Sequence, residues 1–500
     1  MPDAIRLNES DDVAVALRPL SRGSEALGVV LRDEIPAGHK LALAPIGVGR
    51  AVIKYGYPIG LATADIAPGQ HVHVQNLQSA LEEVVGRSEA TGPGTEISDF
   101  KSQISDLMFD GFRRPNARVG IRNEIWVINT VACVNQAAQQ IALAASRDLP
   151  LSKLGVDGVY TFPHPFGCSQ LGDDLERTQK VLAGLVRHPN AAAILILGLG
   201  CENNRLAGFL EKLGPVERDR VRYFNAQEVS DEIEDGVKAV GELAEYASAF
   251  KRTPTPASEL VIGAKCGGSD GFSGITANPL VGLVSDRLTR AGATVMLTEV
   301  PEMFGAEPVL LGRAAGANVA SNIVDLVNDF RRYFRSHDQP IDENPAPGNK
   351  DGGITTLAEK SLGCVQKGGC APIRAVLPYG DSASPNTSGV TLVNAPGNDG
   401  VSGTALTIAG ANLILFTTGR GTPMGFPAPT IKISTNSDLA GRKPRWIDFD
   451  AGRLLSESAS AELLADELLK QVLAVASGAL TRSEQNNCRE IAIWKGGVTV

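Results

Sequence analysis

The sequence predicts an α/β protein with a small β-rich domain at its N-terminus and two α/β domains behind it. Short apolar runs alternate with helical patterns from Arg122 to about residue 252, and the alternation starts again near Pro256. Alternation of this kind is typical of mainly parallel sheets covered by helices. Residues 1–80 instead carry short strand patterns separated by Pro-Gly turns. We therefore expect domains at residues 1–80, 116–252 and 256–500, with a polar linker at residues 81–115.

The individual elements follow from the spacing of apolar residues. In the first domain we predict strands at residues 13–17, 40–44, 49–54 and 71–74. In the second domain we predict strands at residues 125–129, 156–162 and 192–197, and helices at residues 134–147 and 173–187. In the third we predict strands at residues 259–263, 293–298 and 413–416, and helices at residues 280–290 and 460–476. Ser460 and Gly478 are residue types typical of the two ends of a helix.

Composition and charge exclude several classes of protein. The chain has 500 residues, 43% of them hydrophobic, which is enough for large cores. A net charge of −9 argues against a nucleic-acid partner or an anionic membrane. The longest apolar run, residues 191–197, is too short to span a bilayer. The seven cysteines are scattered and no secretion signal is evident, so we expect reduced thiols in a cytoplasmic protein. We also expect a homo-oligomer, in the form of a dimer.

The most informative stretch is the glycine-rich segment at residues 266–279. It follows an apolar strand and precedes a helix, the position at which open parallel sheets bind ligands. Its side chains offer both donors and acceptors, as a polyhydroxylated ligand requires, and we assign substrate binding to Ser269, Asp270, Ser273 and Asn278. Its glycines allow close approach of the backbone. The alternative interpretation is a flexible, solvated loop.

Two histidines stand out in the first domain. His71 and His73 have the spacing that places both imidazoles on one face of a strand. Such a pair can bind a metal ion or a carboxylate. The alternative is a half-exposed polar face without a function.

Further candidates follow predicted strands of the second and third domains. His164 and Cys168 follow one strand, and Cys201 and Glu202 follow the next. A mixed set of nitrogen and oxygen ligands suits divalent iron or manganese. Either thiol can instead be a small buried hydrophobic residue. Glu299 follows a strand of the third domain and reaches the same predicted rim.

Two cations are candidates for holding a carboxylate. Arg420 lies among glycines directly after a predicted strand, where a guanidinium can bind a carboxylate with two hydrogen bonds. Lys350 lies in a loop rich in proline and glycine. The alternative for Arg420 is a surface ion pair, in which case Lys350 or Arg122 would hold the carboxylate.

Several motifs together resemble the altronate/galactarate dehydratase family. They lie at residues 52–56, 71–73, 167–174, 198–204, 266–270, 298–307, 361–364, 416–421 and 446–452. The resemblance implies a SAF-type β-clip domain at the N-terminus and a hydro-lyase that converts D-altronate to 2-dehydro-3-deoxy-D-gluconate in hexuronate breakdown. It also implies Fe²⁺ or Mn²⁺ without an iron–sulfur cluster. Gln75 departs from the altronate-type pattern, which has a third histidine there, and galactarate-type members lack the histidine pair.

The resemblance leaves the roles of individual residues open. The general base is expected among His71, His164 and Glu299, and the metal ligands are expected among His71, His73, His164, Cys168 and Glu202. One rival is galactarate dehydratase or a dehydratase of another sugar acid. A second is an iron–sulfur enzyme using Cys168, Cys201 and Cys266, which the absence of a Cys-x-x-Cys spacing disfavours. A third is a non-catalytic protein that binds sugar acids.

Overall fold

Three parts follow one another along the chain. A computed structural model of the protein describes residues 2–81, 84, 86, 107–383, 387–456 and 459–497. Within these residues, no helix combines the length and the apolar character that crossing a membrane requires.

The N-terminal part is built from short antiparallel strands joined by tight turns. Its strands are β1 (Ala4–Ile5), β2 (Val13–Ala16), β3 (Glu25–Ala26), β4 (Val29–Val30), β5 (Lys40–Ala42), β6 (Ala51–Lys54), β7 (Tyr57–Ala62), β8 (His71–Val72) and β9 (Leu77–Gln78). They form the sheets β1-β2-β5-β8 and β6-β7-β9 and the hairpin β3-β4. Because β5 and β8 pair antiparallel, with Lys40 opposite Val72, the residue before β5 lies beside the residue after β8.

The second part is a parallel sheet with helices on both faces. Its strands are β10 (Met108–Arg113), β11 (Val119–Gly120), β12 (Glu124–Asn129), β13 (Gly158–Thr161), β14 (Ala191–Gly198), β15 (Val221–Asn225) and β16 (Arg252–Pro256). Its helices are α1 (Asn135–Asp148), α2 (Leu151–Leu154), α3 (Gly172–Val186), α4 (Leu206–Leu213) and α5 (Glu232–Ser248). The parallel order is β13-β12-β14-β15, whereas β11, β10 and β16 form a small antiparallel sheet. Helices α1 and α5 cover one face, and α3 and α4 cover the other.

The C-terminal part contains a parallel sheet of seven strands. These are β17 (Val261–Cys266), β18 (Thr294–Leu297), β19 (Ile373–Leu377), β20 (Gly389–Val393), β21 (Leu413–Thr418), β22 (Thr430–Ser434) and β23 (Phe449–Asp450). The helices are α6 (Ala277–Arg290), α7 (Glu307–Leu311), α8 (Ala317–Ser336), α9 (Pro347–Asp351), α10 (Leu357–Cys364), α11 (Asp399–Ile408), α12 (Ser437–Arg442), α13 (Ala461–Ala476) and α14 (Arg482–Gln485). The strand order is β19-β20-β18-β17-β21-β22-β23.

The direction of the strand connections changes between β17 and β21. Strand β17 leads through α6 to β18 on one side, whereas β21 leads to β22 on the other side. In open α/β sheets a ligand crevice forms at the carboxyl ends of such neighbouring strands. A ligand is therefore expected between two segments. One is the glycine-rich segment after β17, and the other is the segment after β21 that carries Arg420.

The predicted fold class is confirmed, with a small β-rich part at the N-terminus and mainly parallel sheets behind it. The predicted start of the last long helix is also confirmed, since the Ser460 hydroxyl accepts a hydrogen bond from the Leu463 amide at 3.2 Å. Strand β17 extends past the predicted end to Cys266, because Lys265 and Cys266 still pair with Phe416 and Thr417 of β21.

The segment predicted as a linker is partly strand. Its residues 108–113 form β10, which hydrogen-bonds with β16 from the other end of the second part. Residues 82–83, 85 and 87–106 of that segment lie outside the described residues. An alternating polar pattern without a strong apolar run concealed this strand, whose stability comes from pairing with a distant segment.

A buried ion triad joins the N-terminal part to α10. The carboxylate of Glu359 accepts hydrogen bonds from the ammonium groups of Lys40 at 2.9 Å and Lys54 at 2.7 Å. Lys40 also donates to the Gly353 carbonyl and to the Thr355 hydroxyl. Burial opposes the charge of Glu359, but the two ammonium groups outweigh this effect and lower the pKa of Glu359 to about 2. The triad therefore stays ionised at neutral pH.

Replacing Glu359 with Gln should strongly destabilise the protein. The change leaves two buried ammonium groups without a counter-charge, and we expect a loss of about 3–5 kcal/mol in the free energy of unfolding near neutral pH. Because the folded pKa of Glu359 lies below its ordinary value of 4.5, the difference from wild type is full above that pH and shrinks as the pH falls toward 2. Urea unfolding at several pH values measures both effects.

The exposed pair of Glu467 and Arg453, which are 37% and 43% exposed, provides the matched control. Glu467→Gln should cost about 0–1 kcal/mol, since exposed ion pairs contribute little. Equal losses in Glu359→Gln and Glu467→Gln would show that the triad does not hold the two parts together.

Candidate active site

Three histidines of the N-terminal part lie together and face the C-terminal part. His39 precedes β5, His71 begins β8 and His73 follows β8, so that the pairing of Lys40 with Val72 places His39 opposite His73. The ring centroids lie 4.8–5.4 Å apart. One nitrogen of each ring lies within 4.8 Å of the others. We call these three residues the histidine cluster.

The surroundings of the histidine cluster keep its imidazoles neutral. Burial, with the neighbouring His39 and Lys40, lowers the pKa of His71 to about 4. Burial, Lys40 and the two neighbouring imidazoles lower the pKa of His73 to about 3. A neutral imidazole has a free lone pair, which is the form that binds metal ions.

The hydrogen bonds of the histidine cluster fit a metal site. Nε2 of His39 lies 3.3 Å from the Asp351 carbonyl oxygen, and Nδ1 of His73 lies 3.1 Å from the Thr355 hydroxyl. Metal-binding histidines usually use their second nitrogen in this way, which fixes the ring. Nδ1 of His39 and Nε2 of His71 lie 3.0 Å apart, so the two facing nitrogens need a proton or a cation between them. The cluster therefore has the donor chemistry for a divalent transition metal.

Two thiols and a carboxylate form a second cluster at the start of the glycine-rich segment. Cys266 ends β17, Glu302 lies in the 3-10 helix Val300–Met303, and Cys364 ends α10. The two sulfurs are 3.2 Å apart, and Oε2 of Glu302 accepts from both, at 3.0 Å and 3.1 Å. All three residues are buried. We call them the thiol cluster.

Buried lysines surround the thiol cluster. Lys360 is paired with Oε1 of Glu302 at 2.8 Å, and Lys367 is buried where it interacts with both thiols. Burial opposes the charge of Glu302, but these two lysines lower its pKa overall. The hydrogen bond with Cys266 and burial raise the pKa of the Cys364 thiol well above its ordinary value.

Glu299 lies next to the thiol cluster in a strained conformation. Its φ of 69° and ψ of 59° fall in the left-handed region, which costs a residue other than glycine free energy and is common at functional sites. Its carboxylate accepts from the Cys266 amide at 3.0 Å and is paired with Lys265. Burial raises the pKa of Glu299.

Two of the predicted substrate-binding side chains hold the glycine-rich segment itself. Both carboxylate oxygens of Asp270 lie 2.9 Å from the Thr435 hydroxyl, and Oδ1 also accepts from the Phe272 amide. The Ser273 hydroxyl donates to Asp270 at 3.1 Å and accepts from its amide. These hydrogen bonds within the protein hold the glycine-rich segment in its conformation. The polar atoms of Asp270 and Ser273 are therefore already bonded and are not free for a ligand.

The side chain of Asn278 is also hydrogen-bonded within the protein, whereas the hydroxyl of Ser269 is not. The Asn278 amide donates to the Gly363 carbonyl at 3.0 Å and accepts from the Thr417 hydroxyl at 2.7 Å. The Ser269 hydroxyl is buried and has no hydrogen-bond partner among the described residues. Of the four predicted side chains, Ser269 is thus the one whose hydroxyl is left for a ligand.

The candidate cations also differ in whether their charged groups are bonded within the protein. Arg420 is exposed and packs over Gly268, and neither its guanidinium nor the ammonium of the half-buried Lys350 is bonded to a described residue. Arg122 is fully buried, donates to Glu484 at 2.7 Å and 3.0 Å, and also bonds backbone carbonyls. The charged group of Arg122 is therefore bonded within the protein, whereas those of Arg420 and Lys350 have no partner among the described residues.

The structure does not bring His164 to the histidine cluster. It lies in the second part, where Nε2 contacts the Asn129 carbonyl oxygen at 2.9 Å and Nδ1 accepts from the Phe166 amide at 3.2 Å. Both ring nitrogens are therefore engaged by the backbone. Burial lowers the pKa of His164, which favours this neutral form.

The other predicted ligands from the second part are also apart from the histidine cluster. Glu202 is buried and accepts from the Thr130 hydroxyl at 2.6 Å and from two backbone amides of its own loop. Burial opposes its charge, but these hydrogen bonds lower the pKa of Glu202 overall. Cys168 and Cys201 are exposed, whereas Cys266 is buried in the C-terminal part. Of the predicted metal ligands, the structure brings His71 and His73 together. Among the described residues, His164, Cys168 and Glu202 join no such group, and neither do the three cysteines of the iron–sulfur interpretation together.

Sequence reasoning placed Glu302 on the same rim as Glu299, but it missed His39 and the contact of Cys364 with Cys266. His39 immediately precedes the strand predicted at residues 40–44, but neither the pairing of that strand with residues 71–74 nor its register could be predicted. Cys364 belongs to a motif noted at residues 361–364 without a role. No local pattern places the end of α10 against the end of β17, since that contact depends on the tertiary fold.

Comparisons with known proteins agree with this architecture. Three family models match consecutive parts of the chain. They are described as the altronate/galactarate dehydratase SAF domain at residues 2–80, the D-galactarate dehydratase/altronate hydrolase second domain at residues 111–248, and the D-galactarate/altronate dehydratase C-terminal domain at residues 257–499. The predicted SAF-type domain is thereby confirmed.

Relatives with an assigned activity match over the whole length. An altronate dehydratase of Bacillus subtilis is 46% identical over 100% of both chains. An altronate dehydratase of Escherichia coli is 47% identical over 99% of both chains. A galactarate dehydratase (L-threo-forming) of Escherichia coli is 32% identical over 95% of this chain and 92% of its own. The chain belongs to the altronate/galactarate dehydratase family.

Proposed function

We propose that the protein is an altronate dehydratase, a hydro-lyase that removes water from D-altronate to give 2-dehydro-3-deoxy-D-gluconate. The observation that carries the proposal is the identity of 46% and 47% to two altronate dehydratases over the full length, against 32% to a galactarate dehydratase. The histidine pair of altronate-type members is present as His71 and His73, and His39 joins it. The predicted cytoplasmic location, hexuronate pathway and homodimer belong to the same proposal and stay predictions.

The reaction sets two requirements for the site. The proton next to a carboxylate is weakly acidic, so the negative charge that develops on its removal must be stabilised. A divalent metal, Fe²⁺ or Mn²⁺ in this proposal, supplies a Lewis acid for that charge when it is bound by His39, His71 and His73. Arg420 and Lys350 supply positive charge for the substrate carboxylate, and Ser269 supplies a hydroxyl for a hydrogen bond.

The proposal assigns the general base to Glu299. His71 is used as a metal ligand, and both nitrogens of His164 are bonded to the backbone. Burial raises the pKa of Glu299 above its ordinary value, which moves a carboxylate toward the range useful for accepting a proton at neutral pH. The strained backbone of Glu299 is further support, because strain of this kind clusters at functional sites.

Initial rates on D-altronate and on galactarate test the proposed function directly. We expect kcat/KM for D-altronate to exceed that for galactarate by roughly tenfold or more, a difference that a few substrate contacts can produce. The 2-oxo acid product is measured as its semicarbazone with the Mn²⁺-loaded protein. A preference for galactarate would overturn the assignment, and binding of D-altronate without any 2-oxo acid would indicate a sugar-acid binding protein.

The histidine cluster is tested by metal content. We expect His39→Ala and His73→Ala to lower bound Mn²⁺ and activity together, because each removes one of three ligands. His164→Asn should keep its Mn²⁺, since His164 lies outside the cluster. Glu299→Gln should keep its Mn²⁺ but lose activity, as a missing base requires. Elemental analysis of dialysed protein gives the metal content, and full occupancy in both histidine-cluster variants would exclude the proposed ligands.

Arg420→Lys tests the carboxylate contact. The change keeps the charge but loses the planar pair of donors. We expect kcat/KM to fall about ten- to a hundredfold, the usual effect of losing one charge-assisted hydrogen bond. Bound metal and thermal stability should stay at wild-type values, because Arg420 is exposed and bonded to no described residue.

Lys350→Met is the matched variant for Arg420→Lys. Unchanged kcat/KM in Arg420→Lys together with a large loss in Lys350→Met would move the carboxylate contact to Lys350. A loss of thermal stability in Arg420→Lys would instead favour a structural ion pair.

A further inference from the structure

The thiol cluster is a set of metal-ligand atoms that the proposed reaction does not use. The two sulfurs of Cys266 and Cys364 and one oxygen of Glu302 all lie 3.0–3.2 Å from one another. The three residues are 2%, 5% and 4% exposed, so water does not separate them. Metal–sulfur bonds are about 2.3 Å long, so one ion can reach both sulfurs and the oxygen.

The charges around the thiol cluster fit a divalent ion. Three buried ammonium groups belong to Lys265, Lys360 and Lys367, and three carboxylates belong to Glu299, Glu302 and Asp399. These six charges cancel. A divalent ion that replaces the protons of two thiols adds two positive and two negative charges, so the buried site stays balanced. An ion bound by carboxylates alone would not achieve this.

Free polar atoms next to the cluster point to the same conclusion. The hydroxyls of Ser269 and Ser361 are buried without a hydrogen-bond partner among the described residues. Ser361 lies one turn before Cys364 on α10, and Ser269 lines a small cavity together with Lys360 and Cys364. Buried hydroxyls normally have a partner, so both hydroxyls are available to hydrogen-bond a group that binds at the cluster.

We propose that Cys266, Glu302 and Cys364 bind a thiophilic divalent transition-metal ion, in addition to the ion assigned to the histidine cluster. Two thiolates and one carboxylate form a softer donor set than three imidazoles, so the two clusters differ in the metals they prefer. Three protein ligands leave a fourth position, as in metal sites that bind water or substrate. The site lies where β17 ends, at the crevice of the C-terminal sheet.

Co²⁺ provides the probe, because thiolate coordination gives it an intense near-ultraviolet charge-transfer absorption that imidazole ligands do not give. The full-length protein is reduced, freed of metal, and titrated with Co²⁺ under anaerobic conditions. We expect this absorption to appear with one equivalent of Co²⁺ bound through sulfur. Cys266→Ser and Cys364→Ser should each abolish or strongly weaken it.

Matched variants separate this site from the rest of the molecule. Cys168→Ser and Cys201→Ser remove exposed thiols and should keep the absorption, and so should His73→Ala, which removes a ligand of the histidine cluster. Glu302→Gln keeps the side-chain volume and both thiols, and should weaken Co²⁺ binding at the thiol cluster by roughly tenfold or more. This variant carries the test if the Cys266 or Cys364 variants do not fold, as judged by circular dichroism.

Three results would overturn the proposal. The first is the absence of thiolate absorption in wild type, and the second is its loss in Cys168→Ser or Cys201→Ser in place of the cluster variants. The third is a Glu302→Gln protein that binds Co²⁺ as tightly as wild type. None of these results bears on the histidine cluster or on dehydratase activity, which are measured separately with Mn²⁺.

Discussion

The buried carboxylate of Glu359 is the contact on which the arrangement of the site depends. It lies between Lys40 and Lys54, and all three side chains are at most 2% exposed. Both lysines belong to the N-terminal part and Glu359 belongs to α10, so the triad fixes one part against the other. Burying three charged groups costs free energy that buried apolar side chains of the same size would not cost. The triad therefore contributes more to the relative orientation of the two parts than to stability. The orientation it sets brings His39 to Asp351 and His73 to Thr355.

Helix α10 connects the two clusters through neighbouring residues. Glu359 faces the lysines of the N-terminal part, whereas Lys360 pairs with Glu302 of the thiol cluster. Cys364 then ends the same helix. A shift of α10 would therefore move both clusters at once. The proposed site therefore depends on a small β-rich part that contributes no strand to the parallel sheet.

The sequence predicted the fold better than it predicted the site. Alternating apolar runs and helical patterns are local properties, and they placed the sheets and the polar segments at strand ends. The glycine-rich segment was correctly located after β17, but residue type did not reveal where its side chains bond. Asp270 and Asn278 have the same donors and acceptors whether they bind a ligand or their own backbone. His39 and Cys364 acquire their neighbours only through strand register and helix packing, which no local pattern contains.

The glycines of the glycine-rich segment allow close contacts within the protein as well as the approach of a ligand. Their predicted use was to let a ligand approach the backbone, and the structure uses two of them for contacts within the protein. A Cβ at Gly271 would collide with the Gly38 carbonyl, and a Cβ at Gly274 would collide with the Tyr55 hydroxyl. Both partners belong to the N-terminal part, so these glycines let it pack directly on the segment after β17. The buried charges around the thiol cluster interact more strongly than they would in water, because a buried site has a lower effective dielectric constant.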